Sequence, residues 1–184
     1  MSVLIVNLCK EKMHELEFVQ PVFELVQKAK KDVAVRSVFR LKKSDLEADQ
    51  IILCGTSLAD FDYLKHHFPW LLQYRGDVLG ICAGAQVLAK LYGARLYPSQ
   101  EIGKISVQLQ EDLFFLPKEF FVYSLHTLAF NCPAGFHVVG TSSSAIQIFK
   151  KEEEIDGRKR MILGTLFHPE VLNKELIEGF LERI

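Results

Sequence analysis

Apolar positions along the chain fall into two textures. Ser2 to Leu8, Val33 to Phe39 and Gln50 to Cys54 are short, nearly continuous apolar runs of strand length, whereas Glu15 to Lys31 spaces its apolar residues as an amphipathic helix does. This alternation predicts strand, helix, strand units, which assemble into a parallel sheet. Asp60 to Tyr74 reads as partly helical and Asp77 to Ile81 as a buried strand. Gly84 to Tyr92 reads as a helix carrying Val87, Leu88 and Leu91 at helical spacing, with Gly93 as its stop. Past Gly93 the runs shorten to Arg95–Tyr97, Lys104–Gln110, Phe120–Ser124, His137–Gly140, Ala145–Phe149 and Met161–Leu166, several of them separated by Pro or Gly. Such spacing predicts an antiparallel flap joined to the parallel core. The charged stretch Lys150 to Arg160, with Asp156-Gly157 inside it, reads as a solvated hairpin turn, and Lys174 to Ile184 as a closing helix.

The fold class expected from this pattern is α/β: an open, mostly parallel twisted sheet with helices on both faces, plus a small antiparallel flap. At 184 residues without a repeat or linker, residues 1–184 are expected to form a single domain.

Composition narrows the function. With 22 basic against 23 acidic side chains, no surplus of positive charge exists to neutralise a phosphate backbone, so nucleic acid is not an expected partner. The apolar runs are far shorter than the roughly 18 residues a membrane span needs, and the amino terminus lacks the pattern of a secretory signal, so a cytoplasmic location without membrane contact is expected. Cys9, Cys54, Cys82 and Cys132 are scattered, which excludes the ligand spacing of a zinc site and suits free thiols in a reducing compartment. No metal or cofactor is called for.

One thiol stands apart. Val78-Leu79-Gly80-Ile81-Cys82-Ala83-Gly84-Ala85-Gln86 runs an apolar strand into a cysteine with glycine two residues away on either side. A nucleophile at a sharp strand-to-helix turn needs small neighbours at those positions, because the chain folds back on itself there. The turn also sets the sulfur at the amino end of the next helix, where backbone amides and the helix dipole favour a thiolate. The bland alternative is a small buried residue at a tight turn. For Cys9, Cys54 and Cys132, which lack this setting, the bland reading is preferred.

A thiolate nucleophile needs an imidazole, and of His14, His66, His67, His126, His137 and His168 only the last has a suitable companion. In Phe167-His168-Pro169-Glu170 the carboxylate stands two residues beyond the ring, and side chains i and i+2 of an extended segment point the same way. Glu170 can then accept from one ring nitrogen while the other faces the thiol. Both segments follow predicted strands, and the carboxyl ends of strands in an open α/β sheet are where sites gather.

These two segments resemble those of the class I glutamine amidotransferases, whose elbow reads Gly-x-Cys-x-Gly-x-Gln and whose distant partner reads Phe-His-Pro-Glu. Within that family the nearest likeness is to the glutaminase domain of GMP synthetase, through Tyr123-Ser124-Leu125-His126, Pro133-Ala134-Gly135-Phe136, Ala145-Ile146-Gln147-Ile148 and Gly164 to Glu170. The resemblance implies a flavodoxin-like α/β fold and a Cys82-His168-Glu170 triad that hydrolyses glutamine to glutamate and ammonia through a thioester. It further implies an oxyanion hole from the amide of Ala83 and one from the Gly55-Thr56 loop, and substrate contacts from Gln86, Ser124 and His126. No synthetase domain is recognisable, so a separate ATP-dependent synthetase subunit is the implied partner. Cys54-Gly55-Thr56-Ser57 stands where relatives carry Ser-Gly-Gly-Pro, and Leu128 where they carry an acid. A γ-glutamyl amide or peptide hydrolase with the same triad, and a non-catalytic partner-binding subunit of the same fold, are the alternative expectations.

Overall fold

The apolar runs at residues 3–8, 51–54 and 78–81 are buried on both sides of their strands, as a parallel sheet covered on two faces requires, whereas the run at 33–39 is half-buried to exposed at the sheet edge. The computed structural model describes residues 1–183. In chain order the elements are β1 (Ser2–Asn7), α1 (Glu15–Phe18), α2 (Gln20–Lys28), β2 (Asp32–Ser37), β3 (Gln50–Leu53), α3 (Trp70–Gln73), β4 (Asp77–Ile81) and α4 (Ala83–Leu91). They continue as β5 (Leu96–Leu109), β6 (Glu119–Phe130), β7 (His137–Thr141), β8 (Ile146–Ile155), β9 (Arg158–Thr165), α5 (Pro169–Leu172) and α6 (Lys174–Leu181).

The strands form one sheet in the order β2-β1-β3-β4-β9-β8-β7-β5-β6. Pairings from β2 through β9 are parallel, and those from β9 through β8 and β7 to β5 and β6 are antiparallel. Alternation along β1 divides the core: Val3 and Ile5 pack with Val22 and Val26 of α2 and Ile177 and Phe180 of α6, whereas Leu4 and Val6 pack with Ala85, Leu88 and Ala89 of α4. Helices thus cover both faces, as the expected fold class requires. Among the described residues no helix is long and apolar enough to cross a membrane.

Several boundaries differ from expectation, each for a local reason. The helix expected over Glu15–Lys31 is broken at Val19, and α2 restarts with Pro21 in its first turn, where the missing N–H costs nothing. The strand expected to reach Phe39 stops at Ser37, whose hydroxyl accepts from the Phe39 amide and opens a single 3-10 turn. Asp60–Tyr74 holds a 3-10 turn at Asp62–Lys65 and the short α3. Arg95–Tyr97 and Lys104–Gln110 fuse into the single strand β5, which tolerates Pro98 because the register slips between Pro98 and Glu101. Of the closing helix, Lys174 to Leu181 are helical, and Ile184 lies outside the described residues.

The charged run from Lys150 is not a solvated loop. β8 and β9 pair as far as Ile155 and Arg158, leaving only Asp156-Gly157 as the turn, with φ of 51° and 77°. Two consecutive positive φ values fit the right-handed twist of a hairpin, which is why Asp-Gly suits it. Within the run Arg160 is only 1% exposed and donates to the Leu71 carbonyl at 2.7 Å, a placement that sequence polarity does not foretell.

Packing between β8 and β9 leaves no spare volume at Gly164, where an added Cβ would come within 2.2 Å of the Phe149 ring. Gly164→Ala is expected to lower stability by about 1–3 kcal/mol through overpacking. Urea unfolding checks this, and an unchanged midpoint would contradict the packing account.

Candidate active site

At the junction of β4 and α4 the chain reverses over a single residue, Cys82, with φ 48° and ψ −102°. A non-glycine residue held there stores strain of order 1–3 kcal/mol, which persists only where surrounding structure enforces it. The enforcement is visible. A Cβ on Gly80 would lie 2.6 Å from the carbonyl carbon of Gly84, and a Cβ on Gly84 would lie 2.2 Å from the Leu53 carbonyl oxygen. Both glycines are therefore required by close backbone approach, and together they press the turn against β3. The Cys82 amide donates to the Thr165 carbonyl at 2.7 Å, locking the elbow to the end of β9.

That lock delivers the histidine. Parallel pairing sets Ile81 opposite Thr165, so the segment leaving β9 passes beside the elbow, and the His168 amide is fixed to the Tyr123 carbonyl of β6 at 2.9 Å. The His168 ring is buried, with Nδ1 2.7 Å from Glu170 Oε1. Phe18 packs on the ring, with centroids 5.5 Å apart. Nε2, the nitrogen turned away from Glu170, has no other hydrogen-bond partner among the described residues, and the Cys82 sulfur neighbours the ring. The thiol itself donates to the Leu125 carbonyl at 3.5 Å. Burial alone would push the His168 pKa down, but the Glu170 carboxylate first, and then Cys82, raise it well above the ordinary histidine value.

A narrow cleft, partly open to solvent and with a cavity volume of only about 10 Å³, is lined by Thr56, Asp60, Tyr63, Cys82, Ala83 and Gln86, with Leu125, His126 and Thr127 across from them. It sits at the carboxyl ends of β3 and β4. A second depression, bordered by Asp49, Gln50, Asp77, Arg158 and Lys159, lies at the amino ends of the same strands, away from Cys82.

The expected site residues fare differently. Cys82, His168 and Glu170 come together, and Ala83 and Thr56 line the cleft. Gly55 plays a different part, because a Cβ there would lie 2.7 Å from Cε1 of His168, so this glycine makes room for the imidazole. Neither Gly55 nor Thr56 has positive φ, so threonine meets no backbone penalty in this loop. Gln86 reaches the cleft, but its amide is committed to the Tyr63 hydroxyl and, at 2.9 Å, to the Leu128 carbonyl. Ser124 is fully buried outside the cleft lining, and its hydroxyl has no hydrogen-bond partner among the described residues. His126 lines the cleft, yet both its ring nitrogens face internal acceptors, the Ser99 carbonyl at 3.0 Å and Glu101 Oε2 at 3.1 Å. It braces β6 against β5 instead of presenting a free polar edge. Burial pushes its pKa down despite Glu101. The remaining thiols are poorly ionised, Cys9 being pushed up to about 11 by burial and Cys54 raised well above the usual thiol value by the same cause.

Comparison with known proteins follows the same lines. Residues 14–183 match the family model for glutamine amidotransferase class-I. The chain belongs to the class I glutamine amidotransferases. It is 32% identical over 149 residues to a glutamine-hydrolyzing GMP synthase of Thermosipho melanesiensis, a match covering 76% of this chain and 28% of that protein. A Thermotoga petrophila GMP synthase is 30% identical over 154 residues, covering 78% of this chain and 30% of the relative. This amidotransferase therefore spans under a third of the curated relatives it matches. Among solved structures, a GMP synthase subunit protein from Thermoplasma acidophilum superposes with a TM-score of 0.80 at 22% identity, covering 98% of this chain and 92% of that one. A Thermotoga maritima glutamine amidotransferase gives 0.69 at 24% identity, covering 99% and 83%. At these identities the structural likeness speaks for the fold.

Sequence reasoning missed Tyr63, Leu125 and Phe18, whose contacts cross between elements far apart in the chain and leave no local spacing signal.

Two outcomes test this geometry in the amidotransferase. His168 has a raised pKa in the folded chain, above the unfolded value of 6.5. The charged pair therefore stabilises the fold below pH 6.5, and that contribution is lost as pH rises through the raised value. Glu170→Gln is expected to lower the ring's titration midpoint, read by side-chain NMR. A midpoint unmoved by the substitution would show that Glu170 is not the cause. Gly55→Ala, which drives a methyl into the buried imidazole, is expected to slow alkylation of Cys82 and, through overpacking, to lower the melting temperature.

Proposed function

We propose that residues 1–184 act as a single glutaminase domain whose nucleophile is Cys82, whose base is His168 and whose ring-orienting carboxylate is Glu170. The observation that carries this reading is the strained elbow at Cys82, tied by its amide to Thr165 beside the strand end that supplies the buried His168-Glu170 pair.

The chemistry follows from the positions. His168 takes the thiol proton through Nε2, and the sulfur attacks the side-chain amide carbon of glutamine. Negative charge collects on the amide oxygen, where the amides of Ala83 and Thr56 receive it at the amino end of α4. His168 then gives its proton to the departing nitrogen, which leaves as ammonia, and a γ-glutamyl thioester remains on Cys82. Water, deprotonated by the same ring, attacks the thioester, releasing glutamate and restoring the thiol. Glu170 holds the ring in the tautomer this needs and stabilises its charged form. No cofactor enters the scheme.

The similar proteins are glutamine-hydrolyzing GMP synthases, which supports an ammonia acceptor of the synthetase kind. In this reading a separate ATP-dependent synthetase, GMP synthetase-like, receives the ammonia in the cytoplasm.

Cys82→Ala is expected to abolish ammonia release from glutamine while leaving the melting temperature near that of the wild type. His168→Ala is expected to cost more activity than Glu170→Gln, because a misoriented base still exists in the latter. Full activity in the Cys82 variant, or brisk hydrolysis of γ-glutamyl peptides in preference to glutamine, would reject the assignment.

A further inference from the structure

Asp60 is a nearly buried carboxylate, 8% exposed, to which the reaction scheme gives no role. Its Oδ2 accepts from the Thr56 hydroxyl at 3.0 Å and from the Lys10 amide at 2.7 Å, and its Oδ1 accepts from the Asp62 amide at 3.1 Å. Its own amide donates to the Ser57 carbonyl at 2.9 Å. One side chain therefore ties three stretches of backbone: the turn leaving β1, the 55–57 loop and the start of the 3-10 turn after it. Thr56, 3% exposed, shares the cleft lining with Cys82 and Ala83. The amides of Thr56 and Ala83 donate to no acceptor among the described residues.

A second glycine at position 56 would leave the peptide free to rotate, since glycine gives up the most conformational freedom on ordering. Threonine restricts the backbone, and its hydroxyl supplies a handle that a carboxylate can grip with a charge-assisted hydrogen bond. The geometry points to Asp60 as a positioning residue that holds Thr56 so that its amide and that of Ala83 form an oxyanion hole already assembled in the free chain. This rests on the glutaminase reading above and deepens it. Asp60 does not touch substrate. It acts through Thr56, and its contribution is orientation of a donor toward charge that develops only during reaction.

The test uses the full chain without a partner and three readouts: ammonia release from glutamine, alkylation of Cys82 by iodoacetamide, and melting temperature. Iodoacetamide reacts by direct displacement at carbon, so it reports on the thiol and His168 without calling on the hole. Wild type is expected to turn glutamine over unaided. Asp60→Ala and Thr56→Val are each expected to lower kcat about tenfold or more with KM little changed and the alkylation rate unchanged. Asp60→Asn, which can keep an oxygen at the Oδ2 position that grips both Thr56 and Lys10, and Thr56→Ser, which keeps the hydroxyl, are expected to retain most of kcat. The inference is overturned if Asp60→Ala keeps full kcat, if alkylation and turnover fall together, or if wild-type Cys82 alkylates yet turns over only with a partner present. A wild-type thiol that neither alkylates nor supports turnover sinks the glutaminase reading itself, which separates the two failures.

Discussion

The backbone at Cys82 is the constraint on which the rest of the site depends. A non-glycine residue at φ 48° is unfavourable on its own, and it is held by contacts on two sides. Gly84 lies so close to Leu53 that no side chain could fit, and Gly80 lies almost as close to Gly84. The amide of Cys82 is drawn to Thr165. Strain at one residue is thus balanced by ordinary packing and hydrogen bonding in three strands, β3, β4 and β9. The sulfur that results projects at the start of a helix, where peptide dipoles favour negative charge.

The same parallel pairing explains why His168 needs no loop to reach Cys82. β9 lies next to β4, so the first residues beyond each strand are neighbours whatever the sequence distance between them. A short Pro-containing step then turns His168 back over Gly55, with Glu170 beneath it. Gly55, Phe18 and Glu170 together define the ring's position: one by having no side chain, one by a tilted ring contact, one by hydrogen bonding. The buried carboxylate also reverses the effect of burial on the imidazole, which would otherwise be kept neutral.

The antiparallel half plays a supporting part. β6 supplies backbone carbonyls, from Tyr123 to the His168 amide and from Leu125 to the thiol, while its His126 ring turns to partners on β5. Glu101 gathers His126, Gln147 and Ser142 around one carboxylate, joining β5, β6 and β8 behind the cleft. Ser124 is buried in the core, and His126, though it lines the cleft, holds internal acceptors on both ring nitrogens. Residue type shows that a group is polar, not which acceptors surround it.

The sequence alone determined the features that local chemistry enforces. Period and length of the apolar runs set the α/β architecture, because a strand covered on both faces must be apolar throughout. Glycines two residues either side of Cys82 marked the elbow, because no other residue survives that backbone approach. The nearness of Glu170 to His168 in the sequence marked their pairing, although the carboxylate reaches the ring from the first turn of α5 and not along an extended segment. Tertiary structure decided everything that depends on which elements become neighbours: that Gly55 makes room for an imidazole, that Arg160 is buried inside a charged strand, that Gln86 is held by Tyr63, and that Asp60 grips Thr56. Those contacts join residues whose separation along the chain carries no periodic signal, so only the folding of the sheet could select them.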